Sequence, residues 1–277
     1  MTTAPAADAL AAIVRETADR ARETGRPHFL AQVVALPALD DEAGLRALAW
    51  AGSRDRFYWE RIDAGELCFA WGSLDELEGE GPERYAAVRA WQRDVGARIA
   101  WAGDARDANR PLFFGGFAFD ERGSAEPDWK AFPAARFVLP EGLVERLGGA
   151  ARCVLFARIE ASVEAGAIAA ELARRLEVVR RAVSASSGSA APVSARAPDD
   201  EGPEYRVRSD RSHSRFCDQV RQALAEIGSG RLAKVVLARS LAVLHDADFD
   251  VPGFLARLRE VYPSCTLVAV GRGRDSF

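Results

Sequence analysis

Acid–base chemistry in this 277-residue chain would start from one lysine at the mouth of an apolar run, RLAKVVLARS (231–240). If that run is an extended strand, its side chains alternate. Lys234 then shares a face with Val236, Ala238 and Ser240, and Val235, Leu237, Arg239 and Leu241 take the other. The lysine face is small and only partly apolar, which leaves room above it for a ligand. An amine held there loses hydration, and that loss disfavours its charged form. A neutral amine takes a proton from water, which is the work of a general base. A lysine that merely opens a strand is also an ordinary solvated end, and spacing alone does not separate the two readings.

Other chemistries are harder to sustain. GRGRDSF (271–277) lacks the GxxxxGK[ST] pattern and the helix that a phosphate loop requires. Gly115-Gly116 lies inside PLFFGGFAFD and opens no helix, which excludes a dinucleotide fingerprint. Paired glycines in a strand instead mark a bulge or a close approach of backbones. His28, His213 and His245 are isolated, with no metal-ligand spacing. Cys68, Cys153, Cys217 and Cys265 form no CxxC pair and read as reduced thiols. The aromatic runs Phe57-Tyr58-Trp59 and Phe113-Phe114 read as core, since no basic stripe accompanies them. A net charge of −4 with scattered basic residues argues against a nucleic-acid groove or a membrane-surface patch. No apolar segment suits a signal peptide or a membrane span, so a cytoplasmic location is expected.

Composition, 48% hydrophobic and 28% charged, is that of an ordinary globular core. Periodicity predicts helices over 8–24, over 83–103 (Val88, Trp91, Val95 and Ile99 on one face), over 167–184, over 211–230 and over 252–260. Strands are predicted over 28–39, over RFYWERI and ELCFAWGSL as a hairpin through Asp63-Ala64-Gly65, and over 111–120. Further strands are ARFVLP, ARCVLFARIEA, the Lys234 run and YPSCTLVAVG, with GRGRDSF turning into a return strand. Strands clustered through short turns predict an α+β fold of antiparallel sheets with helices packed outside. Residues 184–204, rich in Ser, Ala and Pro, read as a linker or mobile loop. It divides a variable region (1–110) and a block of strands and helix (111–183) from a final region (205–277).

Three stretches taken in order resemble the chorismate-utilising enzymes. FFGGFAFD followed by AFPAARFVLP is similar to the family's N-terminal signature, FCDQVRQALAEIGSGRLAKVVLARS to its second block, and PSCTLVAV to the strand after it. The resemblance covers roughly 110–277, and residues 1–110 match loosely. It implies the family's fold and chorismate as substrate. In this family the ammonia-using members carry glutamine where Lys234 stands, and the water-using members carry lysine. The resemblance therefore implies an isochorismate synthase, an isomerase adding water at C2 of chorismate and losing the C4 hydroxyl, for menaquinone or siderophore biosynthesis. Lys234 would be the base that activates the water, a glutamate the general acid, and magnesium, held by two further glutamates, would hold the substrate carboxylate.

The acid belongs to a Gly-Ala-Thr/Ser-Pro-Glu block expected beyond residue 277, with the magnesium ligands further on. Glu201, Glu226 and Glu260 match none of those motifs. The chain is accordingly expected to be the N-terminal part of a longer enzyme, inactive alone and prone to associate through exposed strand edges. Salicylate synthase, which shares the lysine, and a non-catalytic binding subunit are the alternatives. Oligomeric state is not legible in the sequence.

Overall fold

The computed structural model describes residues 7–37, 39, 54–103, 113–123, 129–186, 206–246, 249–273, 275 and 276. Two compact units emerge, one from Met1–Val193 with Pro252–Phe277, the other from Ser194–Val251.

The larger unit is built on an eight-stranded sheet. Its strands are β1 (His28–Leu36), β2 (Asp55–Arg61), β3 (Glu66–Trp71), β5 (Ile99–Gly103), β8 (Gly142–Leu147), β9 (Ala150–Ile159), β12 (Thr266–Arg272) and β13 (Asp275–Ser276). They lie in the order β13-β12-β2-β3-β8-β9-β1-β5. All neighbours pair antiparallel except β1 and β5, which run parallel. A second sheet, β4 (Asp75–Gly79), β7 (Ala135–Leu139) and β6 (Phe114–Phe117), is antiparallel with β7 in the middle. Strands from both sides of residue 110 thus enter the same sheets.

β1 is buried on both faces over His28–Val34, as a central strand covered on two sides must be. Phe29, Ala31 and Val33 join Leu143, Val154 and Phe156 in a cluster closed by Val95 of α2 (Arg84–Ala97). On alternation, Leu30 and Val34 face the other way. Two helices pack on β1 and β9, α1 (Ala7–Thr24) and α3 (Ala165–Ser186). Their buried residues fall at helical spacing: Leu10, Val14, Thr17, Ala18 and Ala21 on α1, and Ala165, Ala169, Leu172, Leu176 and Val179 on α3. Arg175 of α3 clasps the sheet by donating to the carbonyls of Phe156 (2.9 Å) and Glu141. Burial pulls its guanidinium below the ordinary range. No helix among the described residues is long and apolar enough to cross a membrane.

The predicted α+β architecture holds, with three local corrections in this unit. The 83–103 helix ends at Ala97 and Ile99 begins β5, because the β-rich IAW run finds a parallel partner in Phe29–Val33 and tertiary pairing overrides helical period. GLVERL, between the predicted strands ARFVLP and ARCVLFARIEA, is a further strand, β8, and it joins β9 through Gly148-Gly149, both at positive φ as a tight two-residue hairpin requires. Only four residues of the 111–120 run form a strand, β6, and residues 111 and 112 lie outside the described residues.

Strand β6 also explains its glycine pair. A Cβ on Gly115 would stand 1.9 Å from the carbonyl oxygen of Arg136 and 2.7 Å from Cα of Phe137, whereas one on Gly116 meets nothing within 4 Å. Gly115→Ala is therefore expected to destabilise by about 3 kcal/mol, at the upper end of overpacking costs. Gly116→Ala should be nearly neutral. Urea midpoints of the two variants check the contrast.

His28 gives a pH signature. Its buried ring has Nε2 3.2 Å from Thr24 Oγ1. Burial first, then the cations of Arg98, Arg20 and Arg26, hold it below its usual 6.5. The unfolded chain then binds its proton at higher pH than the folded one, so stability rises with pH in that window. As pH falls below about 6.5, stability is lost until the folded ring also protonates. Denaturant midpoints between pH 7.5 and 5 should show a steeper acid-side loss in the wild type than in His28→Gln.

The smaller unit contains β10 (Arg206–Ser209), α4 (His213–Gly228) and β11 (Leu241–Leu244), with β10 and β11 paired antiparallel from Arg206↔Leu244 to Ser209↔Leu241. α5 (Val251–Val261) follows and leads back to β12. The helices predicted over 211–230 and 252–260 form, and β10 is an addition. Of the linker predicted over 184–204, residues 184–186 instead extend α3, and 187–204 lie outside the described residues.

Candidate active site

Lys234 sits in the smaller unit on a segment whose two ends are fastened. At the first end α4 stops in a glycine turn: Ser229 N donates to the Ala225 carbonyl (2.9 Å), and Gly230, at φ +76°, donates to that of Ile227 (3.0 Å). Glycine adopts this left-handed geometry without penalty. The amides of Arg231 (3.1 Å) and Leu232 (3.3 Å) both return to the Glu226 carbonyl. The Glu226 carboxylate grips the Arg231 guanidinium, with Nη2 to Oε1 at 2.7 Å. These bonds raise Arg231 above its ordinary range, led by the hydrogen bond to Glu226. At the far end Asp210 N donates to the Ser240 carbonyl (3.1 Å), just where β10 and β11 begin to pair. Arg239 stacks over the Phe216 ring of α4 at 5.3 Å.

Between these anchors the predicted strand does not form. Residues 234–240 have no β partner among the described residues, and β-structure begins at Leu241. A strand exists only where a neighbour accepts its backbone bonds, and β10 is long enough to pair only with β11. The alternation expected of an extended chain does survive in exposure. Val236, on the side assigned to Lys234, is 91% exposed, against 41% for Val235 and 37% for Leu237. Lys234 itself is exposed and has no hydrogen-bond or ion-pair partner among the described residues. The burial expected of it is absent within this unit. The segment offers one unengaged amine on the open face of an apolar run held at both ends.

The signature residues of the larger unit do structural work. Arg136, in AFPAARFVLP, reaches Asp55 (2.9 Å), Glu76 and Glu78 (3.4 Å), and Arg272 reaches Glu78 at 2.8 Å. This network joins β2, β4, β7 and β12, tying the two sheets together. Burial lowers Arg136 most strongly of any single influence, but its bonds to Asp55 and Glu76 together outweigh it and raise the guanidinium. The cleft beside Asp55, Phe114 and Arg136 holds about 30 Å³, room for a water or two and not for a six-membered ring.

A second buried carboxylate was not singled out in the sequence. Glu60, on β2, accepts from Tyr58 Oη and pairs with Arg259 Nε of α5 at 2.9 Å. The signal was available, since a lone acid inside FYWER shares a strand face with Tyr58. No three or more His, Cys, Asp or Glu side chains that could hold a metal ion come together among the described residues.

Comparison with known proteins identifies the family. A family profile described as chorismate binding enzyme matches residues 15–277. The salicylate biosynthesis isochorismate synthase of Pseudomonas aeruginosa is 29% identical over 225 residues, 79% of this chain and 43% of that protein. The structure of MenF, the menaquinone-specific isochorismate synthase from Escherichia coli, superposes with a TM-score of 0.54 at 16% identity, over 94% of this chain and 53% of that one. The chain thus spans about half the length of both relatives. With the profile running through both units and through the Lys234 segment, the chain belongs to the chorismate-binding enzyme family.

Proposed function

We propose that the chain contributes the base-bearing part of an isochorismate synthase. The observation that carries this reading is lysine at position 234, in a KVVLAR segment whose two ends are fastened and whose lysine side is open. Ammonia is already a nucleophile, whereas water must surrender a proton as it attacks a ring carbon. A lysine serves that need where a glutamine does not. The Lys234 amine takes the proton from water as its oxygen bonds to C2 of chorismate. The ring double bonds shift, and the C4 hydroxyl departs with a proton, so that one water enters and one leaves. The two relatives, both isochorismate synthases by name, support the same reading. When Lys234 acts it must be closed over by a surface that strips its water, since an exposed ammonium is a poor base at neutral pH. No described residue is assigned to the general acid or to magnesium.

Salicylate synthase is the second reading, resting on the shared lysine. The test is product analysis after incubating chorismate and Mg²⁺ with a polypeptide containing this chain and continuing to the length of its relatives. Isochorismate without pyruvate supports the proposal. Salicylate with one pyruvate per turnover favours the second reading. Chorismate binding without conversion would assign a non-catalytic role instead.

A further inference from the structure

On α4 the fold brings one imidazole and one thiol together. His213 opens the helix and Cys217 follows one turn later, with Nε2 3.5 Å from Sγ. Residues four apart on a helix lie on one face, so α4 overturns the reading of His213 as isolated and pairs it with Cys217. The turn that carries it is capped: Ser212 Oγ accepts from Arg215 N at 3.3 Å. His213 is exposed, Cys217 is partly so, and neither has another hydrogen-bond partner among the described residues.

We propose that His213 and Cys217 form a two-point site for a soft divalent cation of the zinc class. Zinc holds an imidazole nitrogen at about 2.0–2.1 Å and a thiolate at about 2.3 Å, and a tetrahedral angle between those bonds places N and S about 3.5 Å apart. The two atoms already stand at that separation. The pair binds as a neutral imidazole and a thiolate, so each ion taken up releases the Cys217 proton to solvent. Water completes the coordination sphere. Magnesium, which prefers oxygen ligands, does not suit this donor set.

The other thiols do not compete equally. Burial pushes Cys153 up to about 12 and raises Cys68 as well, so both stay protonated inside the sheet. Cys265 is exposed and is the internal control.

The test is a titration of the reduced chain with Co²⁺. The expected result is a thiolate-to-cobalt charge-transfer band that saturates at one ion per chain, releases one proton and disappears when Zn²⁺ displaces the cobalt. Cys217→Ser should abolish the band although Cys265 remains. His213→Asn should weaken binding at least about tenfold, since even partners behind a metal ligand cost that much. Far-UV circular dichroism confirms that both variants keep α4. Absence of the band at millimolar cobalt, its survival in Cys217→Ser, or unchanged affinity in His213→Asn would each overturn the site.

Discussion

Lys234→Ala, in a polypeptide long enough to turn over chorismate, is expected to lower kcat by about 10²- to 10⁴-fold, the usual contribution of a positioned base. KM should change little, because the amine acts on water and not on the substrate's binding groups. Stability should not change either, since Lys234 is exposed and has no partner among the described residues whose loss would be felt. Two further readouts separate a base from a mere cation. The limb of the pH–rate profile that reports deprotonation of the base should vanish in the alanine variant. Lys234→Arg, which keeps the charge but gives up no proton near neutral pH, should not restore turnover. Normal kcat in Lys234→Ala would remove the catalytic assignment.

The second large effect is structural. Glu60 is 0% exposed, and its carboxylate is shared between Tyr58 on its own strand and Arg259 on α5. Removing one partner of a buried ion pair leaves the other charge uncompensated, at a cost of about 3–5 kcal/mol. Arg259→Met is therefore expected to lower the melting temperature by roughly 10 °C in a unit of this size. Glu60→Gln should cost less, because the Arg259 guanidinium left behind is 35% exposed and can be hydrated, whereas Glu60 cannot. Replacing both with apolar residues should recover much of the loss, because the desolvation penalty then disappears with the pair. Calorimetry on the two single variants and on Glu60→Leu/Arg259→Met gives the comparison. Additive losses in the double variant would show that the two side chains act separately. The pair fastens α5 to β2 within the larger unit.

Local signals in the sequence set most of the elements. The apolar stripe Leu10, Val14, Ala18 and Ala21 fixes α1, the 62–65 turn fixes the β2–β3 hairpin, and Gly230 fixes the end of α4. Each depends on residues within one or two turns of each other, where period and turn chemistry act directly. Lys234 was legible for the same reason, as one residue type in a short quotable segment, KVVLAR. Long-range pairing was not. That Ile99 leaves its helix to run parallel to β1, and that β12 returns to pair with β2, follow from partners more than sixty residues away. The reach of Arg136 to Asp55, Glu76 and Glu78, and of Arg259 to Glu60, is likewise invisible to local pattern. Among the described residues no second backbone pairs with the Lys234 run. A hydrophobic run states only that a segment is able to pair, and pairing needs a second backbone to accept its hydrogen bonds.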